Sequence, residues 1–198
     1  MPRVSKQQSD QNRVAITAAS GRLFRERGLE GVSVADLMAA AGLTHGGFYG
    51  HFDSKDAVAA AACTHAFAAS AERWKTRIAE AHGKKAARAA IIDNFLSTKS
   101  RNTPGQACPT ATLAVDVARQ SAEAPIRAAF AEGLRDLVGI LQTLQGGKHP
   151  AEDRSEALAD LATLVGAQIL ARATSQRGLS EEFLAAARAR LHGTRADS

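Results

Sequence analysis

No proline stands between Pro2 and Pro104. Proline removes a backbone donor and breaks a helix interior, so its absence over that length leaves long helices unobstructed. The same stretch is rich in alanine, which favours helix. It has no run of alternating β-branched residues long enough for a strand. These features predict an all-α fold. The 198 residues suffice for one or two domains with a substantial core.

Cap and stop signals divide the chain into about nine helices. Residues 1–8 are polar and basic and read as a loose arm, with Arg3 and Lys6 able to reach a minor groove. Ser9 or Asp10 caps a first helix that ends at Gly28. Two short helices follow, at 34–41 and 45–51. A helix capped by Ser54 meets no Gly or Pro until Gly83, long enough to span roughly 40 Å. Further helices are predicted at 85–100, 109–121, 123–145 and 152–175, with loops over Ser100–Pro109 and 148–153. A last helix is capped by Ser180 and ends at Gly193.

The most specific stretch is Val32–Lys55. Ser33 and Asp36 have the spacing of a capping box, and Val34, Leu37, Met38 and Ala41 form one apolar face. Gly42 follows where a left-handed stop is wanted, and Thr44 is placed to cap again. Leu43 and Phe48 have the spacing of a hydrophobic staple, and Phe52 lies four beyond Phe48. This is a helix-turn-helix layout, whose second helix can enter a DNA major groove. That second helix holds Gly46, Gly47 and Gly50, each costing about 1 kcal/mol against alanine. Its outer side is polar, with Thr44, His45, Tyr49 and His51, and Lys55 lies just beyond. Net charge is +5, and Arg3, Lys6, Arg13, Arg22, Arg25 and Arg27 outnumber the acids Asp10 and Glu26 beside this hairpin.

The order G-L-T-H-G-G-F-Y-G-H-F-D-S-K-D-A-V resembles the DNA-binding segment of the TetR family of bacterial transcriptional regulators. Ile16, Ala19, Leu23, Phe24, Gly28, Gly31, Ser33 and Val34 extend the likeness upstream, so that it covers about residues 10–60. It implies a DNA-binding unit at 1–53, followed by an effector-binding and dimerisation unit at 54–198. It implies that Ser33, Tyr49, His51 and Lys55 hold the phosphate backbone of double-stranded DNA. Thr44, His45 and Gly46 then face base edges, with Gly47 allowing the approach. The family usually carries another residue where His45 stands, which leaves base preference open. A small-molecule effector is implied among the later helices. Pocket residues do not carry over by position, and candidates are Phe67, Trp74, Phe95, Cys108, Thr112, Asp116, Phe130 and Gln168.

The last two helices carry wide apolar stripes: Leu158, Leu161, Ala162, Val165, Gly166 and Ile169, then Phe183, Leu184, Ala187 and Leu191. Palindromic operators match two-fold dimers, so these helices are expected to pair in a homodimer. Cys108 beside Pro109, at a helix start, is a candidate reactive thiol. Cys63 and Cys108 make no metal spacing, and no catalytic or cofactor motif is found. With no signal peptide or membrane-length apolar run, a cytoplasmic regulator is expected, most simply a repressor and not an enzyme. The rival readings are a small all-α enzyme or a protein-binding adaptor that uses the hairpin as scaffold.

Overall fold

The first helix starts earlier than its cap signals suggest. In the computed structural model, which describes residues 6–146, 149–174 and 177–193, α1 runs Lys6–Arg27, so Ser9 and Asp10 lie inside it. Arg3 lies outside the described residues. All regular structure among those residues is helical: after α1 come α2 (Val34–Ala40), a 3₁₀ segment (His45–Gly50) and α3 (Lys55–Glu80). Then follow α4 (Lys84–Phe95), α5 (Thr98–Asn102), a 3₁₀ turn (Pro104–Gln106), α6 (Thr110–Arg119), α7 (Pro125–Thr143), α8 (Pro150–Ala173) and α9 (Arg177–His192).

Three further boundaries depart from the sequence reading, each for a physical reason. The helix expected over 85–100 breaks at Leu96, because Ser97 takes an extended conformation and its hydroxyl accepts from the Ser100 amide to cap α5. Helix α8 begins at Pro150, whose missing donor costs nothing in a first turn, so the expected loop to 153 is shorter. Ser180 caps nothing. It lies within α9, buried, donating to the Ala171 carbonyl and accepting from Arg101.

The core is continuous from the hairpin to the C-terminal helices, running from Ile16, Phe24, Leu37 and Phe48 through Phe67 and Trp74 to Leu137, Leu164 and Leu184. Helix α3 is its spine, packing against α1 near its start and along α7 further on. At 26 residues it spans about 39 Å. Helices α8 and α9 pack together on the far side.

Polar crosslinks tie the periphery to this core. Arg88 of α4 donates to Asp160 of α8 at 3.0 and 2.8 Å and to the Leu191 carbonyl of α9. Gln145 donates to the same Asp160 oxygen. Arg172 donates to the carbonyls of Ser100, Arg101 and Ala111, so α8 holds the α5 end and the start of α6. No helix among the described residues is long and apolar enough to cross a membrane.

Candidate functional site

The turn between α2 and the 3₁₀ segment is set by local chemistry. Ser33 Oγ accepts from the Asp36 amide, and Asp36 Oδ2 accepts from the Ser33 amide at 2.8 Å and from its hydroxyl. Those bonds hold the Asp36 carboxyl below its usual range. Gly42 has φ +73°, a backbone conformation that side chains disfavour. The chain then reverses into His45–Gly50. This element is 3₁₀ rather than the expected α-helix: the Gly47 and His51 amides donate to the Thr44 and Phe48 carbonyls three residues back. Three glycines in six residues give weak support to an α ladder, so the tighter, shorter form results.

One side chain anchors this segment. Phe48 is fully buried, its ring 6.2 Å from Phe52 and 5.3 Å from Tyr49. The opposite face is open. Tyr49 is 73 % exposed, and Thr44, His45, Gly46 and Gly47 are exposed beside it. Thr44 occupies the cap position, but its side chain makes no capping hydrogen bond, contrary to expectation. A Cβ on Gly46 or Gly50 would meet nothing within 4 Å. Ser33 is exposed, with its hydroxyl engaged in the cap of α2. His51 is half-buried, with Nδ1 enclosed and without a hydrogen-bond partner. Lys55 is half-buried at the first position of α3.

Sequence reasoning missed Arg13. Its guanidinium donates to the His51 carbonyl, where the 3₁₀ segment ends, and lies 4.2 Å from the Phe52 ring centroid. It clamps the end of the segment to α1. Arg22 is nine residues further on, half a turn round the helix, and faces elsewhere.

That other face of α1 helps to enclose a cavity of about 450 Å³, bounded also by α3, the end of α4, α5 and the 3₁₀ turn. Of the eight effector candidates, Trp74, Phe95 and Cys108 line it. Phe67 and Phe130 pack on each other, ring centroids 5.2 Å apart, as core. Gln168 is buried and donates to the Phe95 carbonyl. Thr112 borders a separate shallow groove between α6 and α8. Asp116 faces Gly28, its carboxylate close to where a Cβ would stand. The lining residues missed were Arg22 and Arg25 from α1, Arg73 and Arg77 from α3, and Lys99. The pairs at i, i+3 and i, i+4 were the available signal. Burial lowers the Arg25 pKa, and Arg73 beside it lowers it further. Arg25 donates to the Gly105 carbonyl, which holds the 3₁₀ turn against α1. Gly105 itself allows this approach, since a Cβ there would overlap the Glu26 carboxylate.

Cys108 is buried and accepts from the Thr110 hydroxyl at 3.1 Å. Burial pushes its thiol pKa up, the reverse of the expected activation by a helix start. Cys63 is pushed up to about 12 for the same reason. No group of three His, Cys, Asp or Glu among the described residues is placed to hold a metal ion.

The two C-terminal stripes divide. Leu161, Leu184, Ala187 and Leu191 are packed in the chain's own core and are not available to a second copy as the sequence reading expected, because α8 and α9 bury these faces against their own chain. Leu158, Ala162, Val165, Gly166, Ile169 and Phe183 remain exposed or half-buried. Leu158 and Leu170 are each 48 % exposed.

Residues 16–62 match the family described as bacterial regulatory proteins, tetR family. The whole fold matches solved structures. E. coli NemR in its reduced form is 22 % identical, with a TM-score of 0.77 over 94 % of this chain and 99 % of that one. A TetR-family transcriptional regulator from Cytophaga hutchinsonii is also 22 % identical, with a TM-score of 0.77 over the full length of both. Bacillus subtilis FadR in complex with stearoyl-CoA is 18 % identical, with a TM-score of 0.61 over 88 % of this chain and 96 % of that one. At these identities the structural likeness speaks for the fold. A search of curated proteins returns no match. Residues 16–62 thus carry the segment that marks the tetR family of bacterial regulatory proteins, and the whole chain has the fold of solved TetR-family regulators.

Proposed function

We propose that the protein is a cytoplasmic transcriptional repressor, not an enzyme, that binds a palindromic operator as a homodimer and is released by a small-molecule effector. Residues 1–53 read DNA; residues 54–198 bind the effector and pair the two copies. The observation that carries this reading is the split character of the 3₁₀ segment. Phe48 is fully buried while Tyr49 is 73 % exposed, in a segment whose outer backbone is stripped to glycine. A packing element has no use for that open face; a surface that must approach a duplex closely does. Thr44, His45 and Gly46 face base edges, Gly47 permits the approach, and Ser33, Tyr49, His51 and Lys55 hold phosphates. Arg13 positions the segment without touching DNA.

Selection of bound fragments from random duplex DNA tests the reading and supplies an operator. On that operator, Tyr49→Ala and Lys55→Ala each weaken binding roughly 10- to 100-fold, the loss of one hydrogen bond to a charged group. Losing Lys55 also lowers the salt slope by about one. Neither side chain is part of the core, so melting temperatures stay near the parent's. Unchanged affinity in both variants would sink these assignments.

Two recognition segments must sit about 34–36 Å apart to meet successive major grooves. The outward residues of α8 and α9, Leu158, Ala162, Val165, Gly166, Ile169 and Phe183, are the proposed pairing face. Light scattering at micromolar concentration is expected to give the mass of two chains; one chain's mass would remove the geometry. Effector in the cavity tilts α3 and changes that spacing.

A further inference from the structure

We propose that this cavity, which is open to solvent on one side, binds an amphipathic organic anion, with its carboxylate or phosphate head held between the arginines of α1 and α3. The proposal deepens the effector role given to this cavity above, and rests on that reading only for its regulatory consequence. Five cationic side chains line the cavity: Arg22 and Arg25 from α1, Arg73 and Arg77 from α3, and Lys99 from α5. Among the described residues, no Asp or Glu lines it. Glu26, outside the lining, pairs with Arg22 at 3.4 Å and partly offsets the charge of Arg25.

The side-chain hydrogen-bond partners of Arg73 and Arg77 are neutral. Arg73 donates to Ser70 Oγ at 2.7 Å and Arg77 to Asn94 Oδ1 at 2.6 Å. Arg25 uses one donor on the Gly105 carbonyl, while its Nε is enclosed with no partner. Like charges brought together with donors to spare repel one another, and an anion among them relieves that repulsion. Guanidinium groups suit carboxylate and phosphate oxygens in particular, through paired donors.

One wall of the lining is apolar: Ala66 and Ala69 on α3, with the rings of Trp74 and Phe95, which lie 6.5 Å apart, while Ser97, Ser100, Thr103 and Gln106 add neutral polar groups elsewhere. A charged head alone leaves that wall uncovered, and an apolar molecule alone leaves the arginines unpaired. The volume of about 450 Å³ suits a molecule that has both parts. An anion held between Arg22 or Arg25 and Arg73 or Arg77 draws α1 and α3 together. The same α1 clamps the His51 carbonyl through Arg13, so the ligand acts on the rod that holds the recognition segment.

Trp74 is the sole tryptophan and lines the cavity, so its emission reports occupancy directly. The full chain is titrated at low ionic strength with octanoate, octyl phosphate, octanamide and inorganic phosphate. Octanoate or octyl phosphate is expected to shift the emission saturably, with affinity falling as salt is raised. The better of the two identifies the head group. Octanamide and inorganic phosphate bind at least about tenfold more weakly, for want of charge and of apolar body respectively. Arg73→Gln loses at least about tenfold for the better anion, and Arg73→Lys keeps most of the affinity.

Three results would overturn the proposal: octanamide or inorganic phosphate binding as tightly as the better octyl anion, no saturable change with either octyl anion in the low millimolar range, or full affinity in Arg73→Gln. DNA retention is measured separately on the same protein. Anion binding with no retention on any selected duplex removes the repressor and leaves the anion site standing. Retention without anion binding does the opposite.

Discussion

Replacing Asp160 with Ala lowers the stability of the folded chain by about 3–5 kcal/mol, the cost of stranding a buried cation. At about 2–4 °C per kcal/mol for a chain of this length, the melting temperature falls by something on the order of 10 °C. The Asp160 residue is 6 % exposed, and one of its carboxylate oxygens accepts from Arg88 Nε, Arg88 Nη2 and Gln145 Nε2. Arg88 reaches on to the Leu191 carbonyl, so a single side chain joins α4, α8 and α9. Without Asp160 the guanidinium keeps that carbonyl but loses its counter-ion. Asp93 provides the contrast. It pairs with Arg188 at 3.3 Å and His192 at 2.9 Å, but is half exposed. Solvent screens such pairs, so Asp93→Ala changes stability by less than about 1 kcal/mol. Equal melting temperatures for the two variants would mean that water replaces Asp160 and that the crosslink adds no stability.

The difference between those two acids shows what the chain discloses on reading. Several signals whose partners lie within one helical turn were legible, although the Ser97 cap of α5 was not and the Thr44 cap does not form. Ser33 with Asp36, the left-handed Gly42 and the Phe48–Phe52 pair are all found where their spacing placed them. The all-α fold follows from the same kind of evidence, repeated along the chain. Features that depend on distant partners were not legible. Arg13 with His51, Arg25 with Gly105 and Arg88 with Asp160 are separated by 38, 80 and 72 residues. Nothing local distinguishes those side chains from solvated charges. The surplus of basic residues before the hairpin was read as one electrostatic patch beside DNA, yet α1 distributes it. Arg13 goes to the recognition segment, while Arg22 and Arg25 go to the cavity. A count of charge ignores helical phase.

Ser180 fails as a cap for the same reason. Its hydroxyl is taken by the Ala171 carbonyl nine residues back, and the helix starts without it. Of the four aromatic candidates for the cavity, Trp74 and Phe95 line it. Phe67 and Phe130 satisfy each other in the core, whereas the side chains that give the cavity its character are arginines, which read as surface.

Phe48→Ala abolishes operator binding while leaving most of the chain folded. The ring is fully buried, and truncating such a phenylalanine costs about 3–5 kcal/mol. A long helix spreads a loss of that size over many backbone bonds. The segment His45–Gly50 is six residues long, half of them glycine, and its shape depends on the Phe48 ring against Phe52 and on the Arg13 clamp at its far end. With the ring gone, Tyr49 loses its edge-on contact at 5.3 Å, and no other side chain fixes the direction of the outer face. The loss is thus concentrated in the one element that meets DNA. Affinity for a selected operator is expected to fall by at least about 100-fold, the equivalent of about 2.8 kcal/mol. Emission from Trp74 reports on the other part of the core, between α3 and α4, and stays native at room temperature. Two different failures are informative. Operator affinity close to the parent's would show that the recognition segment does not depend on its anchor. Loss of the native Trp74 signal would show that the hairpin and the remaining helices fold as one cooperative unit, as the unbroken core from Ile16 to Leu191 permits.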